Sequence, residues 1–351
     1  MDSSNNINPG QKLIEAIQNP ERRRVMSVRR NAFQRIRQFF DGRDFEEVQT
    51  PLLVRSPGME PHINPFKTTT GEYLPTSPEF AMKKLLVAGM KRIYQIAPTF
   101  RNELASPHHH HEFNMLEWYR AKEDEQVVMQ DTENLVSFLA LNITGSTTLR
   151  FGSNLIETKA PWPRYKINDL FKQFVDIDLT RSTSLADLQK EASQRHIYYS
   201  ESDSWDEIYH RIWLEKIEPM LPNDRCYFVT HYPASQAALS VIDTSEGFPW
   251  ARRFEAYAGP MELGNAYYEL TNPEEQLKRF EFDQKERQRI YGDSYEHSPI
   301  DEDFIAALKF GLPECAGIAI GVDRLVMLLA NTQDIDMTHW LPSYRHKVDR
   351  T

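Results

Sequence analysis

Two cysteines among 351 residues, Cys226 and Cys315, are too few for a disulfide framework and form no Cys-x-x-Cys pair. A reducing, cytoplasmic compartment is the expectation. An excess of basic residues is also missing: 41 Lys and Arg stand against 51 Asp and Glu, a formal net charge of −10, which excludes a generically basic nucleic-acid binder. No run approaches the roughly 18 apolar residues that a membrane-spanning helix needs, since Leu325–Ala330 is followed by Asn331, Asp334 and Asp336. The opening MDSSNNINPGQ lacks the charged-then-apolar order of a signal peptide, and no internal repeat is visible. What is present, 40% hydrophobic and 11% aromatic residues, supplies a large core and separates the chain from disordered sequences.

Residues 1–10 are polar and end in Pro-Gly, which reads as a loosely attached leader. Helical periodicity then runs from Gln11 to Phe40 with a break at Pro20, so two helices are expected. Asp41-Gly42 stops the second, and residues 44–51 read as a strand closed by Pro51. Strand-like runs at 71–74, 92–98 and 113–119 enclose a helix at 78–88, and a further helix spans about 125–141. The Gly-, Ser- and Thr-containing stretch 143–163 is expected to be a turn-rich connection, and the polar 184–222 a helical insertion. Strand signals return at 226–231, 251–258, 267–270 and 317–320, with helices at 273–290 and 323–330. Strands and helices mixed without strict alternation predict an α+β fold, a mainly antiparallel sheet flanked by helices.

Three constellations stand out. Phe100-Arg101-Asn102-Glu103 follows a strand-like run; alone it reads as a solvated ion pair. Gly317-Ile318-Ala319-Ile320-Gly321-Val322-Asp323-Arg324 is a strand of small residues opening into a helix, which lets backbone approach a flat or phosphorylated ligand and aims Arg324 at phosphate. Tight helix–sheet packing with a structural arginine explains it equally well. Glu255, Glu262 and Glu269 lie seven apart and converge if their strands form a bulged hairpin. Two clustered carboxylates suit Mg²⁺ bridging triphosphate oxygens, and one deep carboxylate suits an ammonium group.

Together, in this order and spacing, the proline-terminated strand at 44–51, Phe100–Glu103 and Gly317–Arg324 resemble motifs 1, 2 and 3 of the class II aminoacyl-tRNA synthetases. Thr76-Ser77-Pro78-Glu79, the run Glu112–Tyr119 and Glu262-Leu263-Gly264-Asn265 resemble the lysyl branch, and the resemblance covers about residues 22–330. It implies one catalytic domain at 11–345, with no room for the anticodon-reading OB domain of a full lysyl enzyme. It therefore points to the stand-alone lysyl paralogs, which attach lysine or (R)-β-lysine to a lysine side chain of translation elongation factor P. A homodimer built on motif 1 is implied too.

The resemblance also implies a role for each matching residue. Arg101 binds the α-phosphate of ATP and the substrate carboxylate, Glu103 the adenine amino group, and Arg324 the γ-phosphate. Asn102, His109, His110, Ala256 and Gly321 line the nucleotide, and Glu255 and Glu262 hold Mg²⁺. Glu117 and Glu269, helped by Tyr119, take the distal ammonium of lysine. Ser77, Glu79 and Asn265 take its proximal end, with Glu262 and Ala319 also at the amino acid. Ala319 stands where lysyl-tRNA synthetases usually have Gly, a departure that favours an amino group displaced by one carbon. His108-His109-His110-His111-Glu112-Phe113 replaces the usual His-Asn-Pro-Glu-Phe; four histidines in a row also admit a metal reading, but without paired ligand spacing. Rival expectations are a lysyl enzyme that charges tRNA, for which Arg22-Arg23-Arg24 with Arg29-Arg30 is the only dense basic cluster, and a non-enzymatic lysine sensor, which predicts a damaged ATP site.

Overall fold

The computed structural model describes residues 9–104, 106–292 and 298–341. The expected leader thus lies largely outside the described residues, and Pro9 and Gly10 belong to helix α1 (Pro9–Gln18). Asn19 accepts hydrogen bonds from the N–H groups of Glu21 and Arg22 and caps α2 (Pro20–Asp41), with Pro20 at the first helical position, where its missing N–H is harmless. There follow β1 (Glu46–Glu47), α3 (Glu79–Val87), β2 (Arg92–Phe100), β3 (Glu112–Ala121) and α4 (Glu125–Thr144). The chain continues through β4 (Thr148–Phe151), β5 (Asn154–Glu157), β6 (Arg164–Lys166), α5 (Ile167–Val175), α6 (Leu185–Gln194) and α7 (Trp205–Ile212). Last come β7 (Cys226–Pro233), β8 (Ile242–Asp243), β9 (Trp250–Ala258), β10 (Met261–Tyr268), α8 (Pro273–Tyr291), α9 (Glu302–Gly311), β11 (Cys315–Gly321) and α10 (Val322–Ala330).

The main sheet runs β1-β2-β3-β11-β10-β9-β7-β6, with β8 alongside β9. All neighbours are antiparallel except β1 with β2 and β6 with β7. The strand expected at 44–51 is only two residues long: Asp44 adopts a left-handed φ of 58° before it, and Pro51 brings no N–H to extend it. The stretch expected to be a turn-rich connection holds the hairpin β4–β5, closed by Gly152-Ser153 with Gly152 at φ 60°.

Alternation along the strands sorts side chains onto two faces. Tyr94, Leu116, Trp118, Ile318, Ala266, Phe254 and Phe228 point to the back, where α2, α4 and α10 cover them in the largest core. On the front, Ile93, Tyr119 and Cys315 pack with α3, α8 and α9, whereas Tyr227, Val229 and Tyr257 pack with α5, α6 and α7. Between these two front cores the sheet carries polar side chains.

Close packing here depends on absent side chains. A Cβ at Gly317 would lie 2.3 Å from the Tyr119 ring, and one at Gly264 would lie 2.3 Å from the Ala319 carbonyl oxygen. Overpacking of this kind typically costs about 1–3 kcal/mol, so Gly317→Ala is expected to lower the urea midpoint at unchanged slope. An unaltered midpoint would show that the Tyr119 ring yields freely.

The start of α10 is anchored by Asp323, buried to 1% exposure. Its carboxylate takes the Arg29 guanidinium at 2.5 Å, the Thr338 hydroxyl at 2.9 Å and the Asn114 N–H at 2.7 Å. Four buried or half-buried elements thus meet on one side chain.

Candidate active site

Strand register assembles the site. Directly opposed residues share a face, and the pairings Gln95–Glu117, Glu117–Ala319, Ala319–Asn265 and Asn265–Glu255 form one file across β2, β3, β11, β10 and β9. The neighbouring file is Ile93, Tyr119, Gly317, Tyr267 and Arg253. Glu262 and Asn265 are three apart, which on a regular strand puts them on opposite faces. A bulge between Glu262 and Gly264 absorbs one residue, leaves Leu263 in the back core and sets Glu262 opposite Tyr257 on the front.

At the β3 end lies a buried carboxylate pocket. Glu117, fully buried, accepts from the Ser77 hydroxyl at 2.6 Å and from the Tyr119 hydroxyl at 2.9 Å. Ser77 in turn accepts the Glu79 N–H at 3.0 Å, which fixes the entry of α3. Burial, reinforced by the nearby Glu79 charge, pushes the Glu117 carboxyl up to about 8 against these two hydrogen bonds. Beside it, Lys83 on α3 reaches both Glu79, one turn earlier, and Glu269 at 2.6 Å. Burial works against the Lys83 ammonium, but the Glu269 and Glu79 carboxylates outweigh it and hold it charged.

At the other end, Arg324 donates to the Glu262 carbonyl at 2.9 Å, lies 3.4 Å from its carboxylate, and donates to His109 Nε2 at 2.8 Å. Burial and the Arg324 charge lower the His109 pKa, and the neutral ring protonated at Nδ1 satisfies both Arg324 and the Ser106 hydroxyl at 2.8 Å. These groups open on a cavity of about 600 Å³ that is also lined by Tyr257, Glu218 and Pro219. Desolvation, then the Glu255 charge, raises the carboxyls of Glu262 and Glu218. Between the two ends, Arg253 ties Glu255 at 2.6 Å to Asn265 at 3.0 Å, and Tyr257 donates to Glu255 at 2.7 Å.

Most residues singled out in the sequence converge on this front face, though not all do. Ala256, fully buried, faces the back core because it alternates with Glu255 along β9, so its side chain is no part of a nucleotide site. Glu255 lies between the two ends with its charge acting on Glu262, while Glu269 belongs with Lys83 at the β3 end. The four histidines diverge: His110 packs its ring 4.5 Å from that of His339, and His111 donates from Nε2 to the Glu103 carbonyl at 2.5 Å. Asn102 is exposed, its N–H bonded to the Asn64 carbonyl at 2.7 Å. A Cβ at Gly321 would meet nothing nearer than its own turn's Arg324 at 3.8 Å, so the space above it is open. Arg101 forms no ion pair among the described residues, and its buried Nε has no acceptor. Lys83, Arg253 and Glu218 are site residues that sequence reasoning missed. No motif marks them, and only the fold brings them to the site.

The profile of the class II tRNA synthetases (D, K and N) matches residues 5–345. An elongation factor P–(R)-β-lysine ligase of Yersinia enterocolitica is 38% identical, over 86% of this chain and 89% of its own length. One from Hamiltonella defensa is 34% identical, over 90% and 94%. A lysine–tRNA ligase of Dehalococcoides mccartyi is 32% identical, over 97% of this chain and 68% of its own length.

Proposed function

This chain belongs to the class II tRNA synthetases of the D, K and N group, a family of ligases, and we propose that it activates (R)-β-lysine or lysine with ATP and transfers it to a lysine side chain of elongation factor P. The observation that carries the substrate class is the buried Glu117, Tyr119, Glu79 and Glu269 pocket, whose Glu117 lies on the same file as Ala319 and Asn265. A buried carboxyl raised to about 8 demands a cation or a proton, and a lysine ammonium supplies the first. The acceptor is read from the two ligases matched over most of their length.

In this reading the amino-acid carboxylate attacks the α-phosphorus and pyrophosphate leaves. The acceptor amine then attacks the acyl carbon, AMP leaves, and the amine gives its proton to solvent. Arg101, whose guanidinium no carboxylate occupies among the described residues, holds the substrate carboxylate against the α-phosphate and neutralises charge that develops there. Arg324 and His109 take the far phosphates, Gly321 leaves room for the nucleotide, and Glu103 receives the adenine amino group. Glu255 and Glu262 are the residues that would hold Mg²⁺. The Glu255 charge, which raises both Glu262 and Glu218, gathers negative potential there that a cation would relieve. Bound Mg²⁺ supplies charge neutralisation on the triphosphate.

The test is ATP–pyrophosphate exchange with α-lysine and (R)-β-lysine in parallel, then mass spectrometry of purified elongation factor P and tRNA charging with the same enzyme. Exchange and a matching mass gain on the factor are expected. Charging of tRNA without that gain would favour the second reading, supported by the Dehalococcoides match, and no exchange would leave a lysine sensor. Ala319 lies between Glu117 and Asn265 in register, where one methyl is worth about 1–3 kcal/mol of discrimination. Ala319→Gly is expected to shift the kcat/KM ratio toward α-lysine by about tenfold or more; an unchanged ratio would remove Ala319 as the selector.

A further inference from the structure

The amino-acid pocket contains its own lysine. Lys83 is 1% exposed, and its ammonium lies 2.6 Å from Glu269, contacts Glu79 and sits 5.9 Å over the centre of the Phe304 ring. No other cation of the described residues contacts Glu79, Glu117 or Glu269. Counted as ionised, the three carboxylates and the one resident ammonium carry a formal charge of −3 + 1 = −2 among buried side chains. A diamino acid brings two ammonium groups, while its carboxylate goes to Arg101 outside this set. With all three carboxylates ionised, the charges then balance.

We propose that Lys83 is a positioning residue, the resident counter-ion that fixes the pocket's charge at the value a substrate with two ammonium groups neutralises. It also holds Glu79 and Glu269 together, so that substrate meets a formed pair of carboxylates and not two repelling ones. The inference rests on the lysine-activating reading above. It adds a determinant that touches the carboxylates and not the reacting atoms, and it assigns to a lysine on an ordinary helix the choice between diamino acids and their monoamino analogues.

Steady-state ATP–pyrophosphate exchange on the full chain, with KM for lysine and for ATP determined separately, tests it. Lys83→Met is expected to raise the KM for lysine at least twentyfold while the KM for ATP stays within twofold. In the double variant Lys83→Met with Glu79→Gln, which restores the charge of −2, at least fivefold of that loss should return. A purely structural role predicts the opposite order, since the double variant removes more native contacts. A lysine KM within threefold of wild type in Lys83→Met, or a double variant no better than the single one, overturns the proposal. Should the single variant fail to fold by thermal melting, the charge-balanced double variant is still expected to fold and bind lysine, and failure of both overturns it equally. Wild-type protein without lysine-dependent exchange would instead overturn the lysine-activating reading itself.

Discussion

Replacing Glu117 by glutamine will raise the KM for lysine roughly 10²- to 10³-fold with the KM for ATP nearly unchanged. The size follows from leaving a buried ammonium without its carboxylate, which costs about 3–5 kcal/mol. The shape is preserved, and of the two hydroxyls, Ser77 on Oε1 and Tyr119 on Oε2, one still donates to the amide oxygen of the Glu117→Gln side chain while the other must turn to accept from its N–H, so the loss reports mainly charge. A pH signature accompanies it. With Glu117 pushed up to about 8, the free pocket is largely protonated there at pH 7, and an incoming ammonium expels that proton. Calorimetry in two buffers of different ionisation heat should therefore show proton release at pH 7 that fades as the pH rises through about 8. Glu117→Gln should lose this share. The same shift makes the free protein shed the Glu117 contribution to stability between the ordinary carboxyl value of 4.5 and about 8. Lysine KM within tenfold of wild type in Glu117→Gln would remove the pocket from the reaction.

Arg101→Ala is expected to lower kcat by roughly 10²- to 10³-fold, the usual cost of removing one donor aimed at charge that develops in the transition state. The contrast with Arg324 motivates the choice. Arg324 is already committed to Glu262 and His109, whereas Arg101 has a buried Nε with no acceptor and lies against the Phe113 ring at 5.4 Å. A guanidinium held in this way is poised for an anion from outside the chain. Single-turnover adenylate formation measured by quench is the check, because it separates the chemical step from product release. An intact rate with a raised KM for ATP would reassign Arg101 to ground-state binding.

Short motifs made the site's two neighbouring files legible, because a motif records residues close in sequence whose spacing matches a strand period. Glu117 and Tyr119 two apart on β3, and Gly317 and Ala319 two apart on β11, are of this kind. The α+β sheet with helices on both faces was legible from the same periodicities. Lys83 was not, since a lysine one turn beyond a glutamate on a short helix has the signature of a solvated pair, and only Glu269, 186 positions later, turns it inward. The seven-residue spacing of Glu255, Glu262 and Glu269 misled in part. The bulge rotates Glu262 toward Glu255, while the end of β10 delivers Glu269 to α3. The hairpin β4–β5 hid in residues whose propensities favour turns, and the resemblance put Ala256 at the nucleotide, although it alternates with Glu255 along β9 and its side chain points to the opposite face.

Asp323 and Arg324 stand side by side at the first turn of α10, yet they answer to different demands. Asp323 is fastened to Arg29, Thr338 and Asn114, and Arg324 faces the cavity. Substitutions in this dipeptide are therefore expected to act through two separate quantities, the amount of folded protein for the first residue and, on the proposed function, turnover for the second. A growth-based mutational scan would record both positions as equally intolerant and merge them into one active-site signal. Expression level read alongside activity would split them. Intolerance at an acidic residue next to a cavity-facing arginine is thus no evidence, by itself, that the acid takes part in chemistry.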